Sequence, residues 1–533
     1  MSDPFRASEA AIRIPFPVRI PLAHSCTFAV VLCVVQLLEG TPAYFSLYSF
    51  FFIMIATLAF NTAGGLSRPS GGYVFFYAWL AVIVGLVFKA FLGEPADSNL
   101  LAPHTTMLAY VVTITGMCGA AYLKKILLPA RSVLDRIGKG TQDSMGAAGV
   151  GCIVVGLAMY VWGVFVAGAN VSQDAAANNG TLYGALRQLD RFLPLGIILG
   201  VTYTIRKTRG RRLISLPVLF ATIFVALFLG LFNFSKEGMF SPFLCIVLAA
   251  AALRFQFSVM QVVVSLLAIV LSVQYLVPVI QRGKALTSGN LSENIDTTIN
   301  LLTDAGELHE ESVTAQDIQY ADEDDFTVHY YNSSHGLFDR LQMISVDDAL
   351  IDTTEQGQVF GLLPIFYDVA NIVPHFIWPG KPSINIGNVY LHEISQAHYR
   401  TAGEEDTTTG ISFSPTADAF HEAKWIGVGL IAPALFFMCF FVMDWVCGDA
   451  RTSPFGLLAV VACGHMAPEG MLFGPFYLST LAMASILTVA FMSVYVLPIL
   501  GSLVIGPGRR QPPPIRRRVA FPPPEPASLE AES

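Results

Sequence analysis

The feature that most limits how this chain can fold is a series of uncharged apolar runs recurring from Pro21 to Val504. Each is about 20 residues long, the length a helix needs to cross a hydrocarbon core of about 30 Å. Inside lipid the backbone must satisfy its own hydrogen bonds, so such runs have to be helical. The short alternating strands of an outer-membrane barrel are absent. Only 13% of the 533 residues are charged, against about 25% in a soluble globular chain. The expected fold is therefore an all-α polytopic membrane protein.

The runs place about twelve spans near residues 22–39, 42–61, 72–93, 100–123, 147–169, 188–205, 213–234, 237–253, 258–280, 424–447, 454–475 and 478–505. Orientation follows from Lys and Arg, which concentrate on the cytoplasmic side. Arg6, Arg13 and Arg19 precede the first span, Lys124 to Lys139 follow the fourth, and Arg206 to Arg212 follow the sixth. Arg254, Arg451 and the Arg509–Arg518 tail complete the set. With the N-terminus inside, all of them fall on one side. The organisation expected is a cytoplasmic N-terminus (1–21), nine helices (22–280), one large acidic periplasmic loop (281–423), three more helices (424–505) and a Pro/Arg-rich cytoplasmic tail (506–533). Both termini then lie on the cytoplasmic side of the membrane.

The loop holds most of the acid behind the net charge of −8, so that charge has no bearing on nucleic acid. Its first part, Glu293 to Asp325, is acidic and short of apolar pattern, and is expected to be mobile. Further on, Leu337, Leu341 and Ile344 form one helical stripe. The run from Val359 to Trp378 is apolar enough to lie on the membrane surface. All eight cysteines fall in apolar runs and none in the loop, which argues against a disulfide framework. There is no nucleotide-binding Gly-rich turn and no metal-ligand spacing, so no cofactor and no metal are expected.

Charged residues at the membrane boundary are the candidates for chemistry, and each has a structural alternative. Lys236, in the hairpin Asn233–Pro242, is either a cation aimed at a lipid phosphate or one half of a local ion pair with Glu237. Arg340 can grip phosphate in a bidentate fork or bridge to Asp339 or Asp347. His375 and Lys381 lie in a Pro-rich loop around Trp378, as polar contacts at a set depth or as an interfacial anchor with a snorkelling Lys. His421 and Glu422 stand before the tenth span, where a general base is useful, although a lone His is more often a bystander. Arg400, beside the acidic 404–406 cluster, reads as solvated and is a weaker substrate-binding candidate. Glu469, with His465, falls inside the eleventh span, as a functional acid or an interhelical hydrogen bond.

Three stretches resemble the Wzy-type oligosaccharide repeat-unit polymerases, a family related to O-antigen ligases. SKEGMFSPFL (235–244) is similar to the family's basic turn before a helix. IVPHFIWPGKPSINIG (372–387) resembles its Pro-Arg-x-x-Trp-Pro-x-Lys-Pro signature, with His375 standing where members carry Arg. FHEAKWIGVGLI (420–431) resembles the element leading into the next helix, with His421 where many members carry Glu and the ligase branch carries His. The matches cover about a tenth of the chain.

The resemblance implies transfer of a growing glycan from undecaprenyl pyrophosphate to an acceptor repeat unit at the outer face. The carrier-linked oligosaccharide, membrane lipids and a chain-length regulator are then the expected partners. Lys236, Arg340 and Lys381 would meet the pyrophosphate, and His421, with Glu422 as substitute, would be the base. A ligase shares these parts and differs in its acceptor. A transporter or flippase of lipid-linked sugars, which should carry charge deep in many helices, and a non-catalytic scaffold are the alternatives from other classes.

Overall fold

The computed structural model describes residues 11–137, 142–163, 191–286, 291–308, 329–333, 338–357, 359–373, 386–397 and 411–505, with isolated positions between them. Among the described residues seven helices are long and apolar enough to cross a membrane: Ala43–Ser67, Pro69–Leu92, Pro103–Leu127, Ser144–Val161, Val259–Lys284, Pro415–Cys447 and Phe473–Tyr495. Leu22–Leu38 and Leu216–Leu231 are shorter apolar helices, and Phe192–Lys207, Lys236–Ala252 and Pro454–Glu469 lie among them. Proline opens several, as at Pro69, Pro103 and Pro454, where its missing N–H would have had no helical partner. Gly64 closes helix 43–63 in the left-handed conformation at φ 104°. The protein is an all-α membrane protein. The one departure among the described residues is a three-residue antiparallel pair, Ala11–Arg13 with Gln256–Ser258.

Two polar clusters lock the helix ends. At one end Lys124 Nζ lies 2.7 Å from Asp444 Oδ2, both buried. Lys124 also donates to the Ala63 carbonyl and Ser70 Oγ, while Asp444 accepts from the Ser70 N–H and hydroxyl. A buried ion pair holds when its remaining donors and acceptors are met, as here. The cluster ties together the ends of helices 43–63 and 103–127, the start of 69–92 and the end of 415–447.

At the opposite end, Asp348 caps helix 103–127 from a distance. It accepts from the N–H groups of Leu101 and Ala102 and from Thr106 Oγ1, placing a carboxylate at the positive end of the helix. Burial pushes its carboxyl up to about 6, against the pull of those donors. Asp347 beside it accepts from the Tyr110 hydroxyl and the Ser414 N–H, and burial pushes it up to about 7. Lys89 closes a second clasp, donating to the Ser98 carbonyl 2.6 Å away and lying over the Tyr330 ring.

The loop segments gather at this same end. Helix Ile344–Glu355 carries Asp347 and Asp348. It begins at the last residue of the expected stripe, because Gln342 caps Ser345 and Met343 is tied to the Ala81 carbonyl. Helix Leu363–Ile372 is turned inside out: Phe366 and Val369 point outward while Asp368 is buried. Residues 291–303 also depart from expectation. They form a helix that buries Leu291, Asn294 and Thr298, and Leu301, Ala305 and Leu308 pack against the 231–239 hairpin.

Candidate functional site

The last loop segment dives into the bundle. Ser414 caps a helix that opens on Pro415, accepting from the Thr416 N–H. Thr416 meets the Tyr77 hydroxyl at 2.5 Å and donates to Thr113 Oγ1 at 3.0 Å. Thr113 is ten residues into helix 103–127, about 15 Å along its axis. The arm 415–422 then climbs back and breaks at Ala423 and Lys424, whose φ of 48° is left-handed. Beyond the break the chain folds against itself: a Cβ on Gly427 would stand 1.7 Å from the Ala419 carbonyl oxygen, so only glycine fits. The expected span 424–447 is therefore the second arm of a sharply bent hairpin.

The first arm carries Asp418, His421 and Glu422 on neighbouring turns, all buried. The His421 ring is enclosed. Tyr390 packs edge-on at 4.7 Å between centroids and Phe360 lies at 6.0 Å. Both ring nitrogens are engaged, Nδ1 with Thr354 Oγ1 at 2.9 Å and Nε2 with Glu393 Oε2 at 2.7 Å. The Thr354 hydroxyl donates its one hydrogen to the Leu350 carbonyl, so towards the ring it accepts, and Nδ1 carries a proton. The short contact between Nε2 and Glu393 then needs a further proton, held by ring or carboxyl. Glu393 is the open end of the pair, with a quarter of its side chain exposed.

A second group of acids surrounds this pair. Asp418 accepts from the Tyr390 hydroxyl at 2.9 Å and the Leu472 N–H at 2.7 Å. Both carboxyl oxygens of Glu422 are buried with no hydrogen-bond partner among the described residues. Burial, and after it the charge of Asp418, pushes Asp368 up to about 8. Burial also raises the Tyr390 phenol, with Asp418 adding to it.

The structure brings together two of the expected residues, His421 and Glu422. Lys236 opens helix 236–252 after the Ser235 cap, in a hairpin at the loop end of the bundle. Arg340 falls in a single turn, Phe338–Arg340, and its side chain lies outside the described residues. His375, Lys381 and Arg400 also lie outside the described residues. Glu469 is not within a span. Helix 454–469 stops there at Gly470, Met471 turns left-handed, and Glu469 pairs with His465 at 3.5 Å, over a third exposed. The backbone just beyond does reach the site, through Met471 to Phe413 and Leu472 to Asp418. Thr354, Asp368, Tyr390, Glu393 and Asp418 escaped the sequence reading, and Asp347 entered it only as a candidate salt-bridge partner of Arg340. For Asp418 a signal existed: Ser-Pro followed by Asp418 and Glu422 at i, i+4 marks a helix start with two acids on one face. Among the described residues no cluster of His, Cys, Asp and Glu can hold a metal ion.

These features define a helical membrane protein with a re-entrant arm that carries an enclosed histidine and two buried acids, Asp418 and Glu422, while the glutamate partner Glu393 and the buried Asp368 come from helices 386–397 and 363–372. Comparison of the chain with protein-family models, curated proteins and solved structures finds no match.

Proposed function

We propose that this chain polymerises lipid-linked oligosaccharide repeat units at the outer face of a bacterial inner membrane. In this reading it has about twelve spans with both termini cytoplasmic and the loop in the periplasm. The observation that carries it is the His421–Glu393 pair, held between a re-entrant arm and helix 386–397; in this reading that end of the bundle lies at the outer leaflet. There an acid–base group can meet a glycan whose carrier stays in the lipid. The outward Phe366 and Val369 of helix 363–372 suit contact with that lipid.

The acceptor sugar hydroxyl attacks the anomeric carbon of the donor glycan. The bond from that carbon to the phosphate oxygen breaks, and the pyrophosphate leaves with the electron pair. Glu393, at the open end, takes the hydroxyl proton, and His421 is a positioning residue that fixes the carboxylate from behind. Lys236, Arg340 and Lys381 are the cations for the departing charge. A chain-length regulator is the expected protein partner.

The broken helix with buried acids also suits a transporter of lipid-linked sugars. Reconstitution with a polyprenyl-pyrophosphate-linked repeat unit separates the readings. A ladder of lengths that disappears in Glu393→Gln supports polymerisation. One transfer to a different lipid or protein makes the chain a ligase, and an unchanged glycan moved across the bilayer makes it a flippase.

A further inference from the structure

Helix 259–284 is unlike the other six long spans. Only 11% of its most apolar stretch is buried, against 39–56% in the others. No residue between Val259 and Leu276 is buried. The helix is held at its ends, by the Ser258–Gln261 capping box and by Val279 and Ile280, which pack on Leu231, Phe234 and Met239.

Lipid suits nearly all of this surface, but it cannot satisfy Gln274. That side chain is exposed, about 22 Å along the helix from Val259, within a core of about 30 Å. Its amide offers two donors and an acceptor, and it has no hydrogen bond among the described residues. The helix's other glutamine within this stretch is different: Gln261 engages the Ser258 N–H. An unpaired amide in hydrocarbon is a strong drive for helix association.

Gln274 also selects one stripe. Met260, Leu267 and Gln274 are spaced by seven, with Val263 and Val270 between them, all exposed. This is the a/d pattern of a parallel helix pair with a polar residue at one a position. We infer that a second copy of this chain packs along this stripe, with the two Gln274 side chains hydrogen-bonded to each other across a two-fold axis. Copies inserted in the same direction must pair in parallel, so each residue meets its own counterpart at the same depth. An amide is self-complementary, donating and accepting at once. A foreign helix would need a polar group at that same depth.

The test uses the full chain in cell membranes, oxidised with copper phenanthroline and run without reductant, with the wild type as baseline for the native cysteines. Leu267→Cys should give a band at twice the chain's mass. Ile269→Cys, about 200° around the helix, should not. Adding Gln274→Leu to Leu267→Cys should lower the dimer about tenfold at equal protein level, and Gln274→Asn should keep it. No band at 267, equal bands at 267 and 269, a band of another mass, or indifference to Gln274→Leu would each overturn the inference. Photobleaching of labelled wild type in lipid nanodiscs gives a second reading: two steps per particle are expected, and single steps would overturn it.

Discussion

Helices 103–127 and 259–284 have nearly the same length and both are apolar enough to cross a bilayer, yet one is the hub of the bundle and the other is almost bare. Helix 103–127 carries Thr105, Thr106, Tyr110, Thr113 and Lys124 along its length. Each meets a polar partner from elsewhere: Glu355, Asp348, Asp347, Thr416 and Asp444. On helix 259–284, Gln274 has no such partner among the described residues. Because lipid is as apolar as a leucine side chain, apolar content does not draw helices together; packing and paired polar groups do.

The comparison can be broken from its strongest point downward. Asp444→Ala should be the most damaging change, removing about 3–5 kcal/mol by leaving Lys124 buried without its partner. Thermal unfolding in detergent would read this, and Lys124→Met with Asp444→Leu should recover much of the loss. Ile114→Ala, at a fully buried position of helix 103–127, should remove about 2–4 kcal/mol. Ile269→Ala, on the bare helix, should stay within about 0.5 kcal/mol. Equal losses at the two isoleucines would mean that burial does not separate the helices as described. Asp348→Ala removes the remote cap and should lower stability by about 1–2 kcal/mol, with faster proteolysis between residues 338 and 357.

The smallest effect depends on pH. Burial raises Asp368 from its ordinary value of 3.8 to about 8, so the folded protein holds a proton there that the unfolded chain releases. Its contribution is greatest at low pH and is lost as pH rises from about 4 to about 8. Asp368→Asn should therefore change little at pH 5 and raise the melting temperature by about 2–4 °C at pH 8.5. A rise of the same size at both values would contradict the assignment.

Much of the architecture could be read from the order of residues. The spans near 42–61, 72–93 and 100–123 became helices 43–67, 69–92 and 103–127, because a run that must enter lipid has no other backbone solution. The site was less legible. His421 and Glu422 stood out as polar residues at a membrane mouth. Glu393 and Thr354 did not, since they lie in stretches that look like ordinary solvated loop until the arm folds back on them. The bend at Lys424 was hidden for a related reason. The sequence placed a span from residue 424 with loop before it, and only the backbone break at Ala423 and Lys424 and the close approach of Gly427 to Ala419 show a helical arm folded against that span.

By itself, then, the sequence determined a helical membrane protein with one large acidic loop, since hydropathy and charge act on each segment independently of its neighbours. Tertiary structure decided which helix is central and which is bare, how far the loop re-enters the bundle, and which carboxylate stands open beside the histidine. Those outcomes depend on pairings between residues as far apart as Tyr110 and Asp347, or Lys124 and Asp444. No local pattern encodes such partners. They arise because a polar group kept from water must find its match wherever the chain brings one.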